Sequence, residues 1–127
     1  MRSDYRENKK NRVGLGYAVS GLKYAFKNEI NIRIQFIIAL LVIVFGFVLS
    51  VSLAEWALLI LMIGFVITAE ILNTAVETML DFLVPEWNHH VGVIKDLTAG
   101  AVLVTSIVAV IIGIIIFLPK LLPFIFN

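Results

Sequence analysis

Glu70, Asn73, Thr74, Glu77 and Asp81 recur at intervals of three and four within the segment 70–81 (EILNTAVETMLD). The fourteen residues before it, 56–69, carry no charge. At about 100° per residue these five side chains share roughly a 100° arc of a helix, while Ile71, Leu72, Ala75, Val76, Met79 and Leu80 point elsewhere. Carboxylates in such a row could take up a proton or hold a hard cation. In an apolar helix that is an expensive arrangement, because an acidic side chain at mid-membrane costs about 2.5–3.5 kcal/mol on insertion. An intramembrane carboxylate is therefore a functional hypothesis by default. With Glu55 near the outer interface, Glu70 lies about 22 Å further along and Glu77 about 33 Å, at headgroup level and just beyond it.

Other ionisable groups gather at the same level. Asn28 and Glu29 precede the first long apolar run, Glu86, Asn88, His89 and His90 fill a connection, and Lys95 and Asp96 precede the last run. Carboxylates from two elements beside a lysine suit a Mg²⁺-nucleotide, because Mg²⁺ takes one or two carboxylates plus phosphate oxygens and lysine balances phosphate charge. Adjacent His89 and His90 diverge on a helix and make a poor metal pair, so a solvated loop is expected for them. The segment from Gly16 to Lys23 misses a phosphate-binding loop by one residue and has no strand before it. Ala99, Gly100 and Ala101 read as a small-residue packing face. Neither a nucleophile–histidine–acid array nor a nucleic-acid footprint is present.

These side chains need a membrane scaffold. Of 127 residues, 61% are hydrophobic and 15% charged, against about 45–50% and 25% in soluble domains. There is no cysteine, which excludes disulfides and thiolate metal sites. The first long apolar run begins too late for a signal peptide. Three runs can cross a core of about 30 Å: residues 33–51, 55–83 ended by Pro85, and 97–118 ended by Pro119. Nine of the ten basic residues fall on one side, which predicts a cytoplasmic N-terminus and 84–96 connection in a bacterial plasma membrane. Before the spans, Leu15, Ala18, Val19, Leu22, Ala25 and Phe26 line one face of a helix over about 5–30, expected to lie on the membrane surface. Glu29 continues that stripe. The expected fold is a single all-α membrane domain over 1–127.

The motif EILNTAVE, with Asp81 after it and Lys95-Asp96 fourteen residues further on, resembles the small bacterial membrane kinases of the diacylglycerol kinase/undecaprenol kinase family. The Tyr17, Gly21-Leu22 and Asn28-Glu29 segment and the Glu86 loop fit as well, and the likeness covers about residues 10–118. It implies a homotrimer that transfers the ATP γ-phosphate to a lipid hydroxyl. By position, Glu70 would be the catalytic carboxylate beside the lipid hydroxyl, and Glu29 and Glu77 the Mg²⁺ ligands. Tyr17, Glu29, Glu77, Glu86, Trp87, Asn88, Lys95 and Asp96 would contact nucleotide. Lys10, with Arg12 as a rival, would contact lipid, and Asn28, Asn73 and Asp81 would support the site. Trp87-Asn88 stands where the family commonly has Tyr-His. Gln35 stands where diacylglycerol-specific members often carry glutamate, and the KDLTAGAVL and IIFLPK segments resemble the undecaprenol kinases.

The expected activity is therefore Mg-ATP-dependent phosphorylation of undecaprenol, or alternatively of diacylglycerol. An ion-conducting oligomer would need polar residues across the whole bilayer, yet the outer halves of all three spans are apolar. A non-catalytic assembly subunit would explain Asn73 and Thr74, but not the convergence of Glu29, Lys95 and Asp96.

Overall fold

The computed structural model describes residues 14–127, so Lys10, Arg12 and the first part of the expected surface helix lie outside the described residues. Four helices follow one another: α1 (Gly14–Asn28), α2 (Ile30–Val48), α3 (Leu53–Leu83) and α4 (His89–Ile125). The last three are long and apolar enough to cross a membrane. Most of their large apolar side chains are exposed, as expected of helices whose solvent is hydrocarbon rather than water.

The break between α1 and α2 is one residue wide. Glu29 is extended at φ −115° and ψ 114°, so it does not continue the helical stripe of residues 15–26. That stripe is largely uncovered: Leu15 is 76% exposed, Val19, Leu22 and Phe26 are exposed, and Ala25 alone is buried. Phe26 meets Phe36 of α2 edge-on with ring centroids 5.7 Å apart, which ties α1 back to the first span.

The α2–α3 corner is built from local chemistry. Ser52 caps α3, accepting from the Glu55 N–H at 3.2 Å, while Glu55 Oε2 accepts from the Ser52 N–H at 2.8 Å. This reciprocal pair satisfies two otherwise orphaned donors. Ser50, at φ 51°, reverses the chain. The two helices then approach so closely at Gly46 that a methyl group there would come within 2.5 Å of the Trp56 ring. Trp56 also stacks obliquely on Phe47 at 4.8 Å. Beside it, Val51, Leu59 and Ile116 form a buried cluster against Val42, Ile112 and Phe117.

Ion pairs fix the antiparallel register of α3 and α4 at both ends, Lys120 to Glu55 at 3.1 Å and Lys95 to Asp81 at 2.6 Å. In that register Glu70 is about level with Thr105 and Ser106. At 1.5 Å per residue α4 is about 55 Å long, well beyond a hydrocarbon core of about 30 Å.

Two expected boundaries are corrected. Helix α4 does not stop at Pro119; it continues through Pro119 and Pro123 to Ile125. Each proline removes one backbone donor, but Ile116 is buried against α3 and Lys120 is held by Glu55, so tertiary contacts carry the helix past the break. At the other end α4 starts at His89, because Asn88 Oδ1 accepts from the His90 N–H at 2.9 Å as an N-cap. The inner connection therefore shrinks to residues 84–88, and His89 and His90 stand exposed on the first helical turn rather than in a loop. Within the described residues the small face around Gly100 meets no other helix: Ala99 and Ala101 are exposed, and a Cβ on Gly100 would meet nothing within 4 Å.

Gly46→Ala should lower the unfolding midpoint in detergent, with a cost of about 1–3 kcal/mol for overpacking. Adding Trp56→Phe should recover part of the loss, whereas an unchanged midpoint for Gly46→Ala would mean the contact is soft.

Candidate functional site

The polar row on α3 grades from buried to wet. Glu70 is 4% exposed, Asn73 8% and Thr74 5%. Glu77 is half-buried and Asp81 exposed. This is the sequence expected for a helix leaving a packed bundle for an aqueous face. Two buried oxygens on the row, Asn73 Oδ1 and Thr74 Oγ1, have no hydrogen-bond partner among the described residues. The Thr74 carbonyl accepts from the Thr78 hydroxyl at 2.7 Å.

Helix α2 supplies the opposite wall. Its first turn brings the exposed Asn31 side chain into the vicinity of Glu70, and Glu29 is near enough to interact with the Glu70 charge, as Glu77 is from α3 itself. The three carboxylates expected from the sequence thus share one neighbourhood. Two of them, Glu29 and Glu77, are half-buried rather than fully enclosed. Asn31 is a site residue that sequence reasoning missed. Two residues after Glu29, it would fall on nearly the opposite face of a continuous helix, and the extended conformation at Glu29 interrupts that helix.

Helix α4 supplies the positive charge. Lys95 Nζ donates to Asp81 Oδ1 at 2.6 Å and also senses the charge of Glu77. Asp81 therefore holds the lysine at the mouth of the site. Both partners are partly open to water, so the pair orients more than it stabilises. Asp96 follows Lys95 and is exposed, about 100° round the helix.

The remaining candidates surround this centre with less enclosure. Glu86, Trp87 and Asn88 are exposed between α3 and α4, with Trp87 85% exposed. Asn88 already uses its Oδ1 as the α4 cap. Asn28, the last residue of α1, donates to the Tyr24 carbonyl at 2.8 Å and is exposed. Tyr17 is partly buried on α1, about three turns before Glu29. Glu29 lies where α2 begins, Glu77 and Asp81 lie in the last two turns of α3, and Lys95 and Asp96 lie in the first turns of α4; Glu70 is thirteen residues short of the end of α3, and Tyr17 is near the start of α1.

Among the described residues no group of three or more histidine, cysteine or acidic side chains is gathered closely enough to hold a metal by itself. Glu29 and Glu77 offer two hard oxygen donors, a set that suits Mg²⁺ when phosphate oxygens complete its shell.

An apolar cleft of about 280 Å³ opens at the depth of Glu70 and runs outward between α2, α3 and α4. Gln35 and Ser106 are the polar residues along it, and the rest of its wall is aliphatic or aromatic. Carboxylates, a lysine and an apolar cleft at one end of a membrane bundle can bring a charged nucleotide and a lipid to the same place.

The family model described as prokaryotic diacylglycerol kinase matches residues 16–117. The chain is 34% identical over 105 residues to an undecaprenol kinase of Bacillus subtilis, covering 83% of this chain and 85% of that protein. It is 39% identical over 111 residues to a diacylglycerol kinase of Synechocystis, covering 87% of this chain but only 63% of that longer protein. With a diacylglycerol kinase of Escherichia coli K12 it shares 37% over 96 residues, 76% of this chain and 79% of the relative. The matched region contains α2, α3 and all the described candidate residues, and the chain belongs to the prokaryotic diacylglycerol kinase family.

Proposed function

We propose that this lipid kinase moves the γ-phosphoryl group of ATP to the hydroxyl of undecaprenol at the cytoplasmic face of a bacterial plasma membrane, with diacylglycerol as the alternative acceptor. The observation that carries the reading is Glu70, buried at the inner end of a three-span bundle with Glu29 and Glu77 around it. The relative named undecaprenol kinase supports the first acceptor, and the relatives named diacylglycerol kinase support the second.

Glu70 acts as general base. As the lipid oxygen attacks the γ-phosphorus, its proton passes to the Glu70 carboxylate, the new O–P bond forms, and ADP leaves with the electrons of the broken P–O bond. Asn73 and Thr74, with their unpartnered oxygens one turn along, supply acceptors for the same hydroxyl or for an adjoining chain. Glu29 and Glu77 would hold Mg²⁺, which when bound offsets phosphate charge. Lys95, positioned by Asp81, neutralises charge developing on the leaving phosphates. Tyr17, Asp96 and the Glu86, Trp87 and Asn88 segment contact the nucleotide, Asn88 through its amide nitrogen because its Oδ1 is already engaged.

Helix α1 lies along the cytoplasmic membrane surface, its uncovered Leu15, Val19 and Leu22 dipping into lipid. Lys10, or its rival Arg12, meets the lipid headgroup from the preceding segment. One chain leaves its inner site open on several sides, since Trp87, Asp81 and Asp96 are all exposed. A homotrimer with each site shared between neighbouring chains would enclose the nucleotide.

Glu70→Gln should reduce kcat for lipid phosphorylation in mixed micelles by about 10²–10⁴-fold while the oligomer stays intact; near-normal turnover would remove Glu70 from the base role. Glu77→Gln should raise the Mg²⁺ concentration needed for half-maximal rate, and an unchanged Mg²⁺ dependence would take it out of the metal site. Asp81→Asn should raise KM for Mg-ATP by about three- to tenfold with a smaller effect on kcat, because it frees Lys95 without removing it. An equal loss in kcat with KM unchanged would assign Asp81 a different task.

A further inference from the structure

The two ion pairs that align α3 with α4 also measure the bundle against a bilayer. From Glu55 to Asp81 along α3 is about 39 Å at 1.5 Å per residue. That exceeds a hydrocarbon core of about 30 Å and comes close to the span of about 40–45 Å that includes both headgroup layers. The α2–α3 corner lies at the level of the Glu55–Lys120 pair, because Ser52 and Glu55 cap each other there. Its non-helical backbone at residues 49–52 puts that level outside hydrocarbon, where free carbonyls meet headgroups or water.

Helix α4 does not end at this level. It runs on past Lys120 to Ile125, and residues 121–126 (LLPFIF) carry no polar side chain. Standing upright, the stretch would reach about 9 Å beyond the ion pair, past the headgroup layer and into water. Its surface is wrong for water. Leu122, Phe124, Ile125 and Phe126 are exposed, Phe126 by 80%, and with exposed Pro123 among them they leave no polar side to the helix. A helix that docks on a protein through one face keeps a polar face opposite, whereas one that is apolar all round needs apolar surroundings on every side. The stretch also continues the exposed apolar surface of the span, through Ile114, Ile115 and Leu118.

The chain has the means to lean at this point. Pro119 and Pro123 lack the N–H groups that would bond back to the carbonyls of Ile115 and Pro119. Four residues apart, the two prolines share one side of α4, so the missing bonds fall together and weaken the same side of the helix.

We propose that residues 121–126 form a membrane-surface anchor. They lean from the α4 axis at Pro119 and Pro123 and lie at the boundary between headgroups and acyl chains in the leaflet at the corner end of the bundle. The partner of this surface is lipid, not a second protein chain. The anchor fixes the height of the Glu55–Lys120 pair and, through the paired α3 and α4, the height of Glu70 further along. It stands independently of the phosphoryl-transfer reading.

The chain has no cysteine, so single nitroxide labels can be placed on the full chain directly. Leu122→Cys, Phe124→Cys and Phe126→Cys are each labelled in vesicles of phosphatidylethanolamine and phosphatidylglycerol. Val104→Cys serves as the mid-span control and His90→Cys as the aqueous control, and all five positions are exposed, so the labels displace no packing. Collisions with oxygen and with a neutral nickel chelate equilibrated across the vesicles give the depth of each label. The three anchor labels should favour oxygen over the chelate, the reverse of His90, at a shallower depth than Val104. Their depths should also differ by less than the roughly 6 Å that separates residues 122 and 126 along an upright helix. Chelate access at Phe126→Cys equal to that at His90→Cys overturns the anchor, because the segment then stands in water. Protection of all three labels from both reagents overturns it as well, because protein then covers the segment.

Discussion

A carboxylate that is 4% exposed inside a bundle of apolar helices dictates what must stand around it. Burying Glu70 is tolerable only where polar or positive groups meet it. Helix α2 brings Asn31 near it, whereas Glu29 at the entry of α2 and Glu77 on α3 add like charge that a cation would have to offset. Helix α4 brings Lys95, held by Asp81, one layer further out. The site is thus a gradient, from a dry carboxylate within the bundle to wet charges at its aqueous end. Such a gradient lets a lipid hydroxyl and a charged nucleotide meet without either entering the other's solvent.

The gradient has to be held at the right height, and the ion pairs at the two ends of α3 and α4 do that. Sliding α4 by one turn along α3 would break Glu55 from Lys120 and Asp81 from Lys95 together. Close packing at the α2–α3 corner acts on the other side of the bundle. Trp56 against Gly46 fixes where α2 sits, and therefore where Asn31 and Glu29 arrive. Contacts at the α2–α3 corner thereby set the geometry at the opposite end of the bundle.

Much of this was legible in the sequence because membranes impose simple rules. Apolar run length marked three spans, and helical periodicity put Glu70, Asn73, Thr74, Glu77 and Asp81 on one face. What periodicity could not see was interruption and partnership. The extended Glu29 looks like a continuation of the preceding stripe, and only the fold shows it as a break. Pro119 looks like a stop, yet packing at Ile116 and the ion pair at Lys120 carry the helix beyond it. The cap at Asn88 was readable in principle, since asparagine before a helical run is a starting signal, although the two histidines after it lack the apolar periodicity that marks a helix. Asp81 had no evident role along the chain because its partner lies fourteen residues ahead on a different helix. Glycines were the least legible: Gly100, with the look of a packing site, meets nothing within the described chain, whereas Gly46, embedded in a plain apolar run, makes the close approach.

Purified protein in mixed micelles, given Mg²⁺, ATP labelled on its γ-phosphate and a panel of undecaprenol, diacylglycerol and ceramide, offers the most direct measurement. Phosphoryl transfer at Glu70 requires the label to appear in the organic phase as a lipid monophosphate, with undecaprenol showing the highest kcat/KM. Label recovered only as untouched ATP or inorganic phosphate, with every lipid in the panel unmodified, would contradict transfer to a lipid hydroxyl.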